Sequence, residues 1–396
     1  MADMQPRNAH GLWDIFLSFL CLGLTSFGGP IAHLGYFRAR FVTQAQWLDD
    51  RRFTELVALC QFLPGPASSQ VAFGIGLQER GVLGGFLAWF GFTLPSGILM
   101  ILFARYAARL DGPVAVALLH GLMVVAVAVV AQAVFSMARS QAPDVRRALL
   151  AIAAMVFALL VRFPLSQPLL ILVGGLAGLL LCRNGATTQH PVFAVAPRLA
   201  MAMLGAFAAL LMLALLDPFA PLHAFAAFYR SGALVFGGGH VVLPLLQQAV
   251  VTPGWIPPGT FLAGYGAAQA LPGPLFAFAA YLGALIDQPP GGWAGAAIAL
   301  GAISLPGLLL VAGIAPFWGK LHARPAMQAA VRGINATVVG ILAAALYNPV
   351  WTSAVTGAVD MLFALAGFAL LLTARVPVLA VVALIAGGET ALALLR

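Results

Sequence analysis

The sequence predicts an all-α membrane protein that crosses the bilayer many times and is built from two homologous repeats. Three observations predict it. The 396 residues are 62% hydrophobic and only 8% charged, against about 25% charged in soluble domains, so lipid must cover much of the apolar surface. A hexapeptide occurs twice, as Gln61-Phe62-Leu63-Pro64-Gly65-Pro66 and as Gln269-Ala270-Leu271-Pro272-Gly273-Pro274. Each copy follows a Phe-Gly-Gly, Phe27-Gly28-Gly29 or Phe236-Gly237-Gly238, and Phe27 precedes Gln61 by 34 positions where Phe236 precedes Gln269 by 33.

Other landmarks repeat in step: Trp47 with Trp255, Phe53 with Phe261, Pro95 with Pro306 and Gly121 with Gly333. The similarity covers residues 20–137 and 229–348, with less similar helices after each. The polar stretch 183–198, holding Arg183, Asn184, Gly185, Pro191 and Pro197, places the boundary between domains 1–190 and 191–396. Apolar runs of about 20 residues, the length one crossing needs, are expected at 12–28, 82–104, 114–137, 148–161 with 165–182, 199–216, 222–239, 293–315, 329–347, 352–373 and 376–395. With the broken segments this makes about ten to thirteen membrane segments. The first run has no small-x-small cleavage site at its end and reads as a retained helix.

The copies differ in one loop. Residues 31–52 carry Arg38, Arg40, Arg51 and Arg52, whereas 240–260 hold no Lys, Arg, Asp or Glu. Basic loops stay in the cytoplasm, so the two loops are expected on opposite faces and the repeats in inverted topology.

Each Pro-Gly-Pro breaks a helix. Proline lacks the backbone N–H and disfavours helical geometry in the residue before it, yet suits a helix's first turn. Residues 53–62 and 67–78 therefore read as two half-helices joined at Leu63-Pro64-Gly65-Pro66. They are short for two full crossings, so a re-entrant hairpin is expected. Irregular backbone at membrane depth survives only where protein buries it or a cavity meets it, and a half-helix N-terminus attracts anions. Ser68, Ser69 and Gln70 follow the first break, whereas Leu275, Phe276, Ala277 and Phe278 follow the second. The first set either binds an oxyanion or caps the helix. Gln61 and Gln269 hold equivalent positions, and a costly intramembrane amide implies either contact with substrate or the break, or a bond across helices. The Phe-Gly-Gly elements read as unwound turns or close-packed helix ends.

Among ionisable residues, Glu55, His33 and Arg230 are candidates for charge or proton relay, as is His240 beside the second glycine turn; a structural role is the alternative for each. The net charge of +8 comes from 19 Arg and the single Lys320 against 12 acidic residues, and either attracts an anion or fills cytoplasmic loops. Cys21, Cys60 and Cys182 stand apart, so neither a metal centre nor a redox dithiol is expected. No phosphate-binding loop occurs.

The run Phe27-Gly28-Gly29-Pro30, Ala32-His33-Leu34-Gly35-Tyr36, Trp47 and Glu55-Leu56 through Pro66 resembles the N-terminal domain of the chromate ion transporter family. Phe236-Gly237-Gly238-Gly239-His240 with Val242, Leu243 and Pro244, then Phe261 through Gln269 to Pro274, resembles its C-terminal domain. The resemblance implies a bacterial inner-membrane secondary transporter that exports chromate, driven by the proton motive force, and confers chromate resistance. The broken segments and glycine turns themselves supply the candidate substrate contacts: Phe27, Gly28, Gly29, Gln61, Pro64, Gly65, Pro66, Ser68, Ser69, Phe236, Gly237, Gly238, His240, Gln269 and Gly273. The expected partners are chromate, with sulfate as the alternative anion, membrane lipid and a second copy in a homodimer; no nucleic acid or cofactor is expected. A channel is the competing transport class. An integral membrane enzyme is the distant one, because no redox group or paired intramembrane carboxylates are evident.

Overall fold

The computed structural model describes the chain apart from residues 1–10, 108, 110–111, 162, 164–165, 183–194, 218–221, 288, 374 and 396. The expected boundary at 190/191 and most of the polar stretch 183–198 therefore lie outside the described residues. No strand occurs among the described ones. Six of their helical stretches are long and apolar enough to cross a membrane, and five shorter apolar helices accompany them.

The first repeat runs α1 (Leu12–Thr25), α2 (Gly29–Phe37), a π-helical turn Arg38–Gln44, α3 (Asp50–Phe62), α4 (Ala67–Ala107), α5 (Pro113–Gln141), α6 (Val145–Leu160) and α7 (Ser166–Leu181). A single helix, α8 (Pro197–Leu216), leads to the second repeat. There α9 (His223–Ala233), a 3-10 turn Gly239–Val241, α10 (Val242–Leu246) and a π-helical turn Gln247–Val251 precede α11 (Pro258–Ala270). A 3-10 turn Leu275–Ala277, α12 (Phe278–Leu285), α13 (Gly292–Ile314), α14 (Trp318–His322), α15 (Pro325–Ala345), α16 (Thr352–Ala354), α17 (Ala358–Leu372) and α18 (Val378–Leu395) complete it. The charged segment read as a loop at 31–52 is largely helical, and so is its counterpart at 240–260. Both pass through a π-helical turn at the same repeat position, a feature that residue periodicity does not reveal. The trailing helices that sequence matched poorly are also equivalent: α6 and α7 correspond in order to α17 and α18.

The breaks fall where expected. α3 ends at Phe62 and α4 starts at Ala67, with Pro66 O accepting the Gln70 N–H at 2.9 Å. α4 then kinks at Arg80 and Gly81, where φ is −142° and +64°, so 67–79 forms the returning arm of a hairpin with α3. In the second repeat α11 ends at Ala270 and α12 returns after the 3-10 turn. Two large buried clusters result, beside a small one of Ile101, Ala280 and Ala296. One surrounds Phe19, Phe37, Phe41, Trp47, Phe73 and Phe92; the larger surrounds Phe228, Tyr229, Phe261, Tyr265, Phe276, Phe278 and Tyr281.

The repeats are inverted and exchange their last two helices. α6 and α7 pack on α15 of the other repeat, and α17 and α18 pack on α5. Only residues 142–144 separate the end of α5 from the start of α6. That start lies at the α7 C-terminus, where Arg146 Nη1 reaches Leu181 O at 3.4 Å. The first turns of α15 are there too, since Arg332 Nη1 donates to Cys182 O at 3.1 Å. α15 thus begins where α5 ends, and equivalent helices run in opposite directions. Small residues permit the exchange: Gly174 and Gly178 of α7 face Gly333 and Thr337 of α15, the close approach by which membrane helices associate.

Candidate functional site

The two breaks meet the two glycine turns reciprocally, each across the repeat boundary. Gly65 N donates to Val235 O at 2.7 Å, and Gly273 N donates to Ser26 O at 2.9 Å. Val235 and Ser26 immediately precede Phe236-Gly237-Gly238 and Phe27-Gly28-Gly29. Left-handed backbone makes both ends of each joint possible. Gly28, Gly29, Gly237 and Gly238 have φ of 102°, 77°, 77° and 146°, and Gly65 and Gly273 have 126° and 98°, a region costly to residues with a Cβ.

The first break is braced by a residue that sequence reasoning ranked below its neighbours. Gln70 Nε2 donates to Pro64 O at 2.9 Å and to Gly307 O at 3.3 Å, tying the break to α13 of the other repeat. A Cβ on Gly65 would stand 2.8 Å from that Nε2 and 3.0 Å from Gly307 Cα. At the second break a Cβ on Gly273 would stand 2.8 Å from Ser96 Oγ. Ser96 on α4 and Gly307 on α13 each follow the repeat-equivalent prolines Pro95 and Pro306. The local signal for Gln70 was its place in the first turn after Pro66; its partner in α13 lies 237 positions away and has no local signature.

Several polar atoms around these joints are buried without a hydrogen-bond partner: Ser26 Oγ, Ser69 Oγ, Gln70 Oε1, Thr93 Oγ1, Gln269 Nε2 and Ser304 Oγ. Thr93 and Ser304 sit one turn before Ser96 and Gly307. Unpaired buried polar groups are uncommon in native proteins and ask for an explanation such as a bound ion or water. These groups are neutral hydroxyls and amides beside backbone N–H groups, and the buried imidazole of His33, whose Nδ1 also lacks a partner, adjoins them. Such neutral donors can ligate an oxyanion without trapping it in an ion pair.

The predicted residues distribute unequally. Ser68 and Ser69 are buried, whereas Gln61, in the last turn of α3, is exposed. Its counterpart Gln269 is half-buried beside the Tyr265 hydroxyl. Tyr265 Oη lies 2.7 Å from His240 Nδ1, so Gln269, Tyr265 and His240 form a polar chain behind the second break. His33 is buried, and its Nε2–H donates to Ser26 O at 3.2 Å, the same carbonyl that receives Gly273 N–H. Phe27 is exposed and Phe236 half-buried. Glu55 is held outside this group by Arg51 at 3.1 Å. Arg230 falls in the last turn of α9, because that helix starts at His223 but stops at Ala233 instead of running on to 239. Its Nη2 lies 3.9 Å from Asp217 Oδ2, and the other oxygen of that carboxylate meets His223 Nδ1 at 2.8 Å.

Comparison with known proteins agrees with this architecture. A chromate transport protein of Pseudomonas aeruginosa is 30% identical over 343 residues, 84% of this chain and 79% of the relative. A chromate transport protein of Cupriavidus metallidurans is 28% identical over 87% of this chain and 84% of its own length. An uncharacterised transporter of Methanocaldococcus jannaschii is 26% identical over 86% and 85%. No solved structure matches the chain. The chromate transporter family model matches residues 13–179 and 222–390, once for each repeat and with α8 between them, and the chain belongs to that family of membrane transport proteins.

Proposed function

We infer that the chain is a secondary transporter that exports chromate from the cytoplasm across the bacterial inner membrane, by antiport with protons, and so confers chromate resistance. One observation carries the reading: reciprocal joints hold the two broken segments against the opposite glycine turns, amid buried neutral donors. A midplane site between inverted repeats, made from broken helices, is the usual arrangement of such carriers. The substrate contacts fall to Ser68, Ser69, Gln269, Gly65, Gly273 and the glycine turns, with Gln61 at the rim and Pro64 and Pro66 shaping the break.

Charge supports the orientation. Arg80, Arg139, Arg146, Arg147, Lys320 and Arg324 fall on the face where α5 ends and α15 begins, together with the Arg38–Arg52 segment that enters α3. The opposite face receives the uncharged segment 240–260. By the positive-inside tendency the first face is cytoplasmic. A dianion leaving a negative cytoplasm gains about 2.3 kcal/mol per charge per 100 mV, so proton coupling adds to a gradient that already favours export.

Everted membrane vesicles given labelled chromate test the reading. Saturable uptake, poorly inhibited by sulfate and reduced when the pH gradient is collapsed, is the expected result. Preferential sulfate transport overturns the substrate, non-saturable flux the carrier, and indifference to ionophore the proton coupling.

A further inference from the structure

We propose that His120, Asp360 and Glu389 form a binding site for a divalent first-row transition-metal ion, separate from the breaks and joining the two repeats. The residues come from α5, α17 and α18, and one ligand atom of each lies within 4.8 Å of the others. His120 Nε2 stands 3.3 Å from Asp360 Oδ1. Zinc bonds to nitrogen and carboxylate oxygen of about 2.0–2.2 Å set neighbouring ligand atoms of a tetrahedral site about 3.3–3.5 Å apart. One edge of the site is therefore already at ligand spacing, and a small side-chain adjustment closes the others.

The carboxylate of Asp360 is oriented for this task. Its Oδ2 accepts the Thr356 N–H at 2.7 Å, the Thr356 hydroxyl at 2.7 Å and the Gly357 N–H at 3.1 Å. That saturates one oxygen and leaves Oδ1 turned toward His120, the hydrogen-bonded support that metal-ligating carboxylates require. Gly121 brings the third ligand in: a Cβ there would stand 2.7 Å from Ala386 Cα and 3.3 Å from Glu389 Cβ, so α18 approaches α5 closely because Gly121 has none.

Charge favours a divalent ion. A divalent cation balances two carboxylates, and uncompensated charge is expensive at a helix interface in a membrane. One imidazole with two carboxylates suits zinc and its first-row neighbours. The cluster is also not a by-product of the repeat. The position equivalent to His120 is Arg332, which donates to Cys182 O at 3.1 Å and to Gln328 Oε1 at 3.1 Å.

The test uses the full chain, purified in detergent, freed of metal with chelator and of any affinity tag. Zn²⁺ is titrated calorimetrically and Co²⁺ by its visible absorption. One ion per chain is expected, with a tetrahedral or five-coordinate Co²⁺ spectrum and a raised Tm with Zn²⁺. Glu389→Gln and His120→Gln are each expected to weaken binding by about tenfold or more, whereas Asp217→Asn leaves it unchanged. Asp360→Asn belongs to the series, but its links to Thr356 and Gly357 make it prone to misfold, so the other two variants decide the outcome. Absence of saturable binding by the wild type overturns the site. Binding unaltered in both variants overturns it equally. Neither result bears on transport, which is measured separately.

Discussion

Gly65 and Gly273 show how much a single position decides. Each donates its N–H across the repeat boundary from a left-handed backbone, and each would push a Cβ into the facing helix. Gly65→Ala is expected to cost about 1–2 kcal/mol from conformation alone, with more from the clash, and to abolish chromate uptake in vesicles. Thermal unfolding of the purified variant separates the two effects, and unchanged uptake would remove the joint from the mechanism. Ser69→Ala and Gln269→Ala probe the chemistry more gently, because they delete a buried polar atom and leave the backbone alone. Both should lower uptake at normal expression, and wild-type rates in both would sink the site. The prolines and glycines of this region were legible in the sequence because each forces a backbone event. Gln70 was legible only as a neighbour of Pro66, and its bond to Gly307 was not legible at all.

At the scale of elements, the sequence reading found the helices that are both long and apolar, along with the breaks inside them. It missed the helical character of 29–44 and 239–251, where polar residues and π-helical turns blur the 3.6-residue period. It also could not tell which repeat receives α6 and α7, since composition says that a helix is apolar but not which partner it meets. The glycines of α7 settle that question in three dimensions. Gly178→Leu would wedge α7 away from Gly333 and Ala329 of α15, and overpacking of this kind costs about 1–3 kcal/mol. Denaturant unfolding in detergent should show the loss, while the same exchange at Gly205, with open space around it, should show none. An equal effect at both positions would mean that Gly178 packing is unimportant.

The whole molecule is two repeats related by inversion and locked by exchange, which the one-sided distribution of arginines in 31–52 and 240–260 anticipated. Single cysteines placed at Ala45 and at Gly254, in a background with Cys21 replaced, should label from opposite sides of the membrane; labelling from one side would refute the inversion. The exchange has a consequence for biogenesis. During synthesis α6 and α7 enter the bilayer well before α15 has been made, so their glycine-lined faces rest against lipid and wait. The first half is a committed but unfinished body, in need of its second half as a template. A ribosome that stalls after α8 would leave the membrane holding an orphan, recognisable to quality control by the very seam that later locks the mature protein.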